Sequence, residues 1–259
     1  MVLHGRGDEP EPELSMRVGH FIPHQPGLMP DGHATRHEAL LAVYPDLLLA
    51  DQYACLQQQW DVMVMDTHPF GRNNEFKVPV EALHEAGTKL VLLARYRGFP
   101  TRTPPIFDET VVPGPYEGSL GRVVDPIVIL GPDAEATIPV LVVPSFQHPD
   151  LLSLFVDIYP FTRTPARDHI PQAEVVIGYG GTGSLYETLW SGRRYVAVPQ
   201  SREQAHRASL AEDAGEAIVV SSRLRDVPLA VDSVLQKTPL GRRLTGAEDA
   251  MSIILEGVA

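Results

Sequence analysis

The chain has 259 residues with 44% apolar and 21% charged side chains, which is long enough for one large or two small α/β domains, each with a buried core. Its formal charge of −12 argues against a nucleic-acid partner, because phosphate neutralisation needs clustered Lys and Arg. The single Cys55 excludes an intramolecular disulfide framework and a Cys-rich metal site and points to a reducing cytoplasm, while no run approaches the roughly 20 apolar residues of a membrane helix and the N-terminus lacks a signal peptide's apolar stretch.

In chain order, "MVLHGR" (1–6) and "MRVGHFIP" (16–23) read as short strands around an acidic, Pro-containing segment. Residues 34–60 carry Leu and Ala at helical spacing, interrupted at Pro45. "DVMVMD" (61–66) is a short apolar run ending at Asp66, the pattern of a buried parallel strand. "PVEALHEAGTK" predicts a helix stopping at Gly87, and "LVLLARY" another buried strand. Strand, helix, strand makes a βαβ unit and hence a parallel sheet.

From Gly98 to about Asp125 the pattern dissolves into Pro and Gly, which places a domain boundary there. Strands are then predicted at "PIVILG" (126–131), "PVLVVP" (139–144), "VDIYPF" (156–161), "AEVVIG" (173–178), "RYVAVP" (194–199) and "AIVV" (217–220). Helical segments fall at "HPDLLSLF" (148–155), "GSLYETLWSG" (183–192), "REQAHRASLAEDAG" (202–215) and, at the end, "GAEDAMSIILEGV" (246–258). The expected fold is α/β, with two Rossmann-like domains over residues 1–120 and 121–259 facing each other across a cleft.

The most informative stretch is "AEVVIGYGGTGSLYETLWSGRRYVAVPQSREQ", residues 173–204. Gly178, Gly180 and Gly183 satisfy G-x-G-x-x-G between a strand and a helix, the context that gives this motif weight. Glycines allow positive φ and close backbone approach, and the new helix aims free N–H groups at an anion. A nicotinamide site would end the next strand in a carboxylate, but Pro199 and Gln200 stand there. Glu187, one turn into the helix, is placed to accept from the two hydroxyls of a ribose. Its other reading is a capping box with Ser184. Leu185, Tyr186, Leu189 and Trp190 are most simply packing faces of the same helix, and Arg193-Arg194 a solvated pair.

This segment resembles the nucleotide-sugar-binding part of GT-B glycosyltransferases, in the family 28-like branch that includes the peptidoglycan N-acetylglucosaminyltransferase. The resemblance implies a donor site of Gly180, Gly181, Thr182, Gly183, Ser184 and Glu187, with Arg202, Glu203 and Gln204 after the next strand. "DVMVMDTHPFGRNNEFKVPVEAL" is similar to the N-domain motif of predicted bacterial members. The resemblance also implies a nucleoside-diphosphate sugar, UDP- or dTDP-linked, a small-molecule acceptor hydroxyl or amine, no metal and no further cofactor. Relative to that family the chain opens at what reads as the second strand, with a shortened N-terminal domain, and "PVLVVPSFQHPD" replaces a Gly-rich loop.

With the usual N-terminal base region unaccounted for, His68 at a strand end becomes the candidate base. An imidazole of ordinary pKa accepts a proton at neutral pH, and Asp66 is near enough in sequence to orient it. Arg72 is a candidate phosphate contact, while nothing singles out His20, His24, His148 or His169. Three alternatives remain open: a nucleotide-sugar hydrolase, a degenerate binding partner of a full-length glycosyltransferase, and a nicotinamide enzyme. A homodimer is equally compatible with the sequence.

Overall fold

The structure is a computed structural model that describes residues 16–22, 31–50, 53–70, 74–95, 103–118, 120–143, 158–160, 166–221, 224–239 and 241–258. Of 31–35 and 158–160 only the backbone is described. The expected strand "MVLHGR" and helical turns at 148–155 lie outside these residues.

The first sheet has six strands, β1 (Val18–Phe21), β2 (Leu48–Ala50), β3 (Val62–Asp66), β4 (Lys89–Leu93), β5 (Glu109–Pro113) and β6 (Arg122–Val124), in the order β2-β1-β3-β4-β5-β6. All neighbours pair in parallel. Side chains alternate between the two faces, as a period of two requires. Val62, Val64, Val91, Leu93 and Val111 face helices α1 (Asp31–Val43) and α6 (Ala247–Leu255). Met63, Met65, Leu90, Leu92 and Val112 face α2 (Lys77–Glu85) and the short 3-10 turn Tyr53–Gln57. The near-continuous apolar runs of β3 and β4 follow from burial on both sides.

The second sheet is built from β7 (Ile138–Val142), β8 (Ile158–Pro160), β9 (Ala173–Gly178), β10 (Arg194–Ala197) and β11 (Ala217–Val219), ordered β11-β10-β9-β7-β8 and again wholly parallel. Helices α3 (Thr182–Trp190), α4 (Arg202–Asp213) and α5 (Val227–Leu235) accompany it. In both sheets the strand order reverses beside the first strand, between β1 and β3 and between β7 and β9. Open α/β sheets bind ligands outside the carboxyl ends of strands at that switch point.

The fold departs from the sequence reading in five places. Of residues 34–60, read as helical with a break at Pro45, only the part before the break is α-helical, in α1; beyond it come β2 and the 3-10 turn Tyr53–Gln57. Residues 109–124, inside the Pro- and Gly-rich stretch assigned to the boundary, supply β5 and β6 of the first sheet. These strands are joined through 114–121 with no helix among the described residues, so the sheet is shortened on that flank. "PIVILG" forms no strand: Ile127 packs into the first core and Val128 into the second, so its apolar run reflects burial at the junction rather than pairing. α5 has no counterpart among the helices expected from sequence. Finally, α6 returns from the second half to the first, burying Ala247, Ala250, Met251, Ile253 and Ile254 there. Lys89 secures it by donating to the carbonyls of Ile253 and Glu256.

Candidate functional site

The glycine turn sits at the switch point of the second sheet. β9 ends at Gly178, where an added Cβ would collide with the Tyr195 hydroxyl. Gly180 has φ +79°, a left-handed backbone that glycine adopts without penalty. Its N–H donates to Tyr195 Oη at 3.1 Å. At Gly181, by contrast, a Cβ would meet nothing nearer than Ser184 Oγ at 3.9 Å. The protein's own packing does not require glycine there, which leaves room for something to approach.

α3 opens immediately after, with Gly181 as N-cap and no side-chain cap. Thr182 and Gly183 start its first turn, and Ser184 is already the third helical residue. The capping box between Ser184 and Glu187 therefore does not form; the Ser184 hydroxyl pairs with Tyr195 Oη at 3.0 Å instead. Glu187 is 9% exposed, and no hydrogen bond reaches its carboxylate from the described residues. Burial raises its pKa from 4.5 to about 7, with Arg167 opposing. A carboxylate kept from water without a donor is energetically expensive, and this one lies beside the glycine turn.

α4 starts next to α3. Ser201 caps it by accepting from the Gln204 N–H at 3.2 Å, and Gln204 Oε1 accepts from the Gln200 N–H at 2.9 Å. Arg202 is exposed. Glu203 accepts from Arg207 Nη2 at 2.9 Å. Of the three residues expected after β10, Gln204 and Glu203 thus border the glycine turn, and both already have partners inside the protein.

A cavity of about 250 Å³ lies between the N-termini of α3 and α4, lined by Gly181, Thr182, Gly183, Ser201, Glu203 and Gln204, together with Arg207 and Arg95. Helix N-termini carry partial positive charge and free N–H groups, so their convergence suits an anion. Arg207 is fully buried and escapes any reading of the sequence alone. It donates to both carboxylate oxygens of Glu117 (2.9 and 3.2 Å) and to the Gly180 carbonyl (3.1 Å). Burial alone would lower its pKa, and Glu117 more than reverses this.

Glu117 belongs to the turn after β5, so this pair ties the halves together. The same turn docks Tyr116 on α3, stacked on Tyr186 with centroids 5.8 Å apart, and the Tyr116 N–H donates to Tyr186 Oη at 3.1 Å. Tyr186 and Trp190 are packing residues, as expected, and what they pack against comes from the first half. Arg167 bridges the halves a second time, 2.9 Å from Glu38 of α1.

At the switch point of the first sheet, Asp66 is the hub. Arg36 of α1 reaches both of its oxygens, at 2.9 and 2.7 Å, and Thr67 Oγ1 donates at 2.6 Å. His20 Nε2 stands 3.5 Å away. The charge of Asp66, the expected orienter of His68, is matched by the buried Arg36 guanidinium. His68 is 6% exposed and its N–H donates to the Asp66 carbonyl at 2.7 Å. His20 is fully buried and pairs through Nδ1 with His37 Nδ1 at 3.2 Å. Burial, then His20, lowers the His37 pKa to about 4, with Glu38 opposing, so that imidazole is neutral at pH 7. Arg72 lies outside the described residues, and among these no group of three or more His, Cys, Asp or Glu is arranged to hold a metal. No helix of the described residues is long and apolar enough to cross a membrane.

Residues 136–242, which carry the glycine turn and α3 to α5, match the glycosyltransferase family 28 C-terminal domain. No curated protein matches the sequence. Among solved structures, CalG4, the calicheamicin glycosyltransferase, superposes with a TM-score of 0.63 at 13% identity over 95% of this chain and 100% of that one. The spinosyn rhamnosyltransferase SpnG gives 0.60 at 14% identity, over 94% and 97%. The UDP-GlcNAc 2-epimerase from Methanocaldococcus jannaschii gives 0.55 at 10%, over 93% and 100%. At such identities these likenesses show the fold alone: the chain has the two-sheet GT-B fold, and its similarity to family 28 is carried by residues 136–242.

Proposed function

We propose that the enzyme moves a sugar from a UDP- or dTDP-linked donor to a hydroxyl or amine of a small-molecule acceptor. The observation that carries this reading is the buried Glu187 carboxylate, without a hydrogen-bond donor among the described residues, one turn into the helix that opens at Gly181. A ribose over that helix start would supply two hydroxyl donors. Its diphosphate would then lie toward Gly181–Gly183 and the cavity at the two helix N-termini. A pyrimidine diphosphate is favoured by the likeness to SpnG, which has been solved with thymidine diphosphate.

In this mechanism the acceptor binds at the carboxyl end of the first sheet. The N–H groups of α3 and α4 stabilise the charge that develops on the departing diphosphate. His68, on the loop that follows β3, takes the acceptor proton. Replacing His68 by Asn should lower turnover about 10²- to 10⁴-fold, the usual worth of a general base, while nucleotide binding stays unchanged. Parallel loss of binding would remove His68 from this role.

The test of the function is a thermal-shift panel of UDP, dTDP, GDP, ADP and NAD(H), followed by product analysis with the nucleotide-sugar that matches the hit. A ligand at 100 times its Kd stabilises by about 2.7 kcal/mol. Stabilisation by one pyrimidine diphosphate alone is the expected result. Free sugar released without an acceptor would replace transfer by hydrolysis. An absence of any shift would favour the binding-partner reading.

A further inference from the structure

We propose that Arg95, carried by the first sheet, grips the donor's diphosphate, so that the nucleotide is held by both halves of the molecule at once. This rests on the donor-site reading above and extends it to a residue outside the family 28 domain match.

Arg95 lies two residues beyond β4, at the carboxyl end of a strand adjoining β3. Its backbone is fixed there, since the preceding Ala94 N–H donates to the Val111 carbonyl at 2.8 Å. The side chain forms one wall of the 250 Å³ cavity whose other walls are the first turns of α3 and α4. That volume is below the roughly 300–1,000 Å³ that accommodates a whole drug-sized ligand, so the cavity takes one portion of a donor rather than all of it. Arg95 also feels charges from both sides. Burial and Arg36 lower its pKa, Asp66 and Glu203 raise it, and Arg207 lowers it.

Two cations line this cavity, and they reach it from different halves of the molecule. Arg207 has Nε, Nη1 and Nη2 committed to Glu117, Gly180 and Glu203, so its work is to shape the turn. Arg95 arrives from the facing sheet, opposite two helix N-termini that are themselves anion-seeking. A guanidinium is charged at any working pH and presents a planar fork that matches phosphate oxygens bidentately. Arg95 therefore completes a three-sided phosphate site, and a diphosphate in it pins the first sheet to the second.

The experiment compares wild type, Arg95→Gln, Arg95→Lys and Glu187→Gln for affinity to UDP and dTDP and for thermal stabilisation by inorganic pyrophosphate. Arg95→Gln should weaken the wild type's preferred nucleotide about 10- to 100-fold, as loss of a charged hydrogen-bonding partner does, and should abolish the pyrophosphate effect. Arg95→Lys keeps charge and bulk, so it serves if the Gln variant melts early, and should retain part of both. Glu187→Gln should lose nucleotide affinity yet keep the response to pyrophosphate. If Arg95→Gln, or the Lys variant in its place, binds both ligands like wild type, the proposal falls while the donor site stands. If wild type binds neither nucleotide, both fall together.

Discussion

Replacing Glu187 by Gln is expected to make the ligand-free protein more stable at pH 8 while removing its stabilisation by a pyrimidine nucleoside diphosphate. The carboxyl pKa is raised by burial from 4.5 to about 7, so the folded state binds the proton more tightly than the unfolded chain does. The stability from this protonated group is fully present below about pH 4.5 and is lost as pH rises through about 7. At pH 8 the ionised carboxylate costs about 3 kcal/mol, since each tenfold change in proton affinity is worth about 1.4 kcal/mol. A neutral amide of the same shape escapes that penalty.

Binding runs the other way, because ribose hydroxyls are best accepted by the ionised form. Nucleotide affinity of the wild type should fall about tenfold between pH 8 and pH 6, whereas the Gln variant should bind weakly at both. Melting curves at the two pH values, with and without nucleotide, read all four quantities. A variant that binds like wild type would take Glu187 out of the donor site. One that is destabilised at pH 8 would mean that the carboxylate has a structural partner.

The second large effect concerns the junction. Glu117→Gln leaves Arg207, fully buried and still aimed at the Gly180 carbonyl, without its principal counter-charge. Breaking one side of a buried ion pair costs about 3–5 kcal/mol; for a chain of this size that corresponds to a fall in Tm of roughly 10 °C. Replacing both members with Met should restore much of the loss, since well-packed apolar pairs often match a buried ion pair in stability. Nucleotide affinity would not recover in the double variant, because Arg207 also holds the Gly180 carbonyl in the phosphate turn. Denaturant melts and dTDP titrations of the three proteins check both halves. If Glu117→Gln is as stable as wild type, the pair is not what joins the halves.

How legible this is in the sequence depends on the distance over which each feature is encoded. The glycine turn, α3 and Glu187 are local: strand, glycines and helix follow one another from Ala173 to Trp190, and the periodicities that mark them span a few residues. The same holds for β3, α2 and β4. The residues that stay hidden are those that act through tertiary contacts. Glu117 lies far along the chain from Arg207, and no spacing rule links them. Arg36 reaches Asp66 across the first sheet, so from sequence the hub at Asp66 looks like a dyad with its neighbour His68. Arg95 reads as the tail of a strand, and only the facing of the two sheets gives it a place. β5 and β6 are obscured for another reason. "ETVVP" and "RVV" are short β-branched pieces set among Pro and Gly, and the turn signals around them mask a strand propensity that spans only two or three residues.

The helix α6, which follows the second sheet in the chain but packs on the first, has a consequence for how the protein is made. Its five buried residues complete the face of the first sheet formed by Val62, Val64, Val91 and Leu93. A ribosome therefore delivers the first sheet early and the helix that completes it only after the second sheet. The second sheet and its helices, contiguous from Ile138 to Leu235, have left the exit tunnel before that helix emerges. Birth order and completion order are thus reversed for the two halves, and the nascent first sheet waits with the part of its apolar face not covered by α1 open, a state prone to association. A chain stopped just before Ala247 would stay in that waiting state, although every strand of the second sheet had been synthesised.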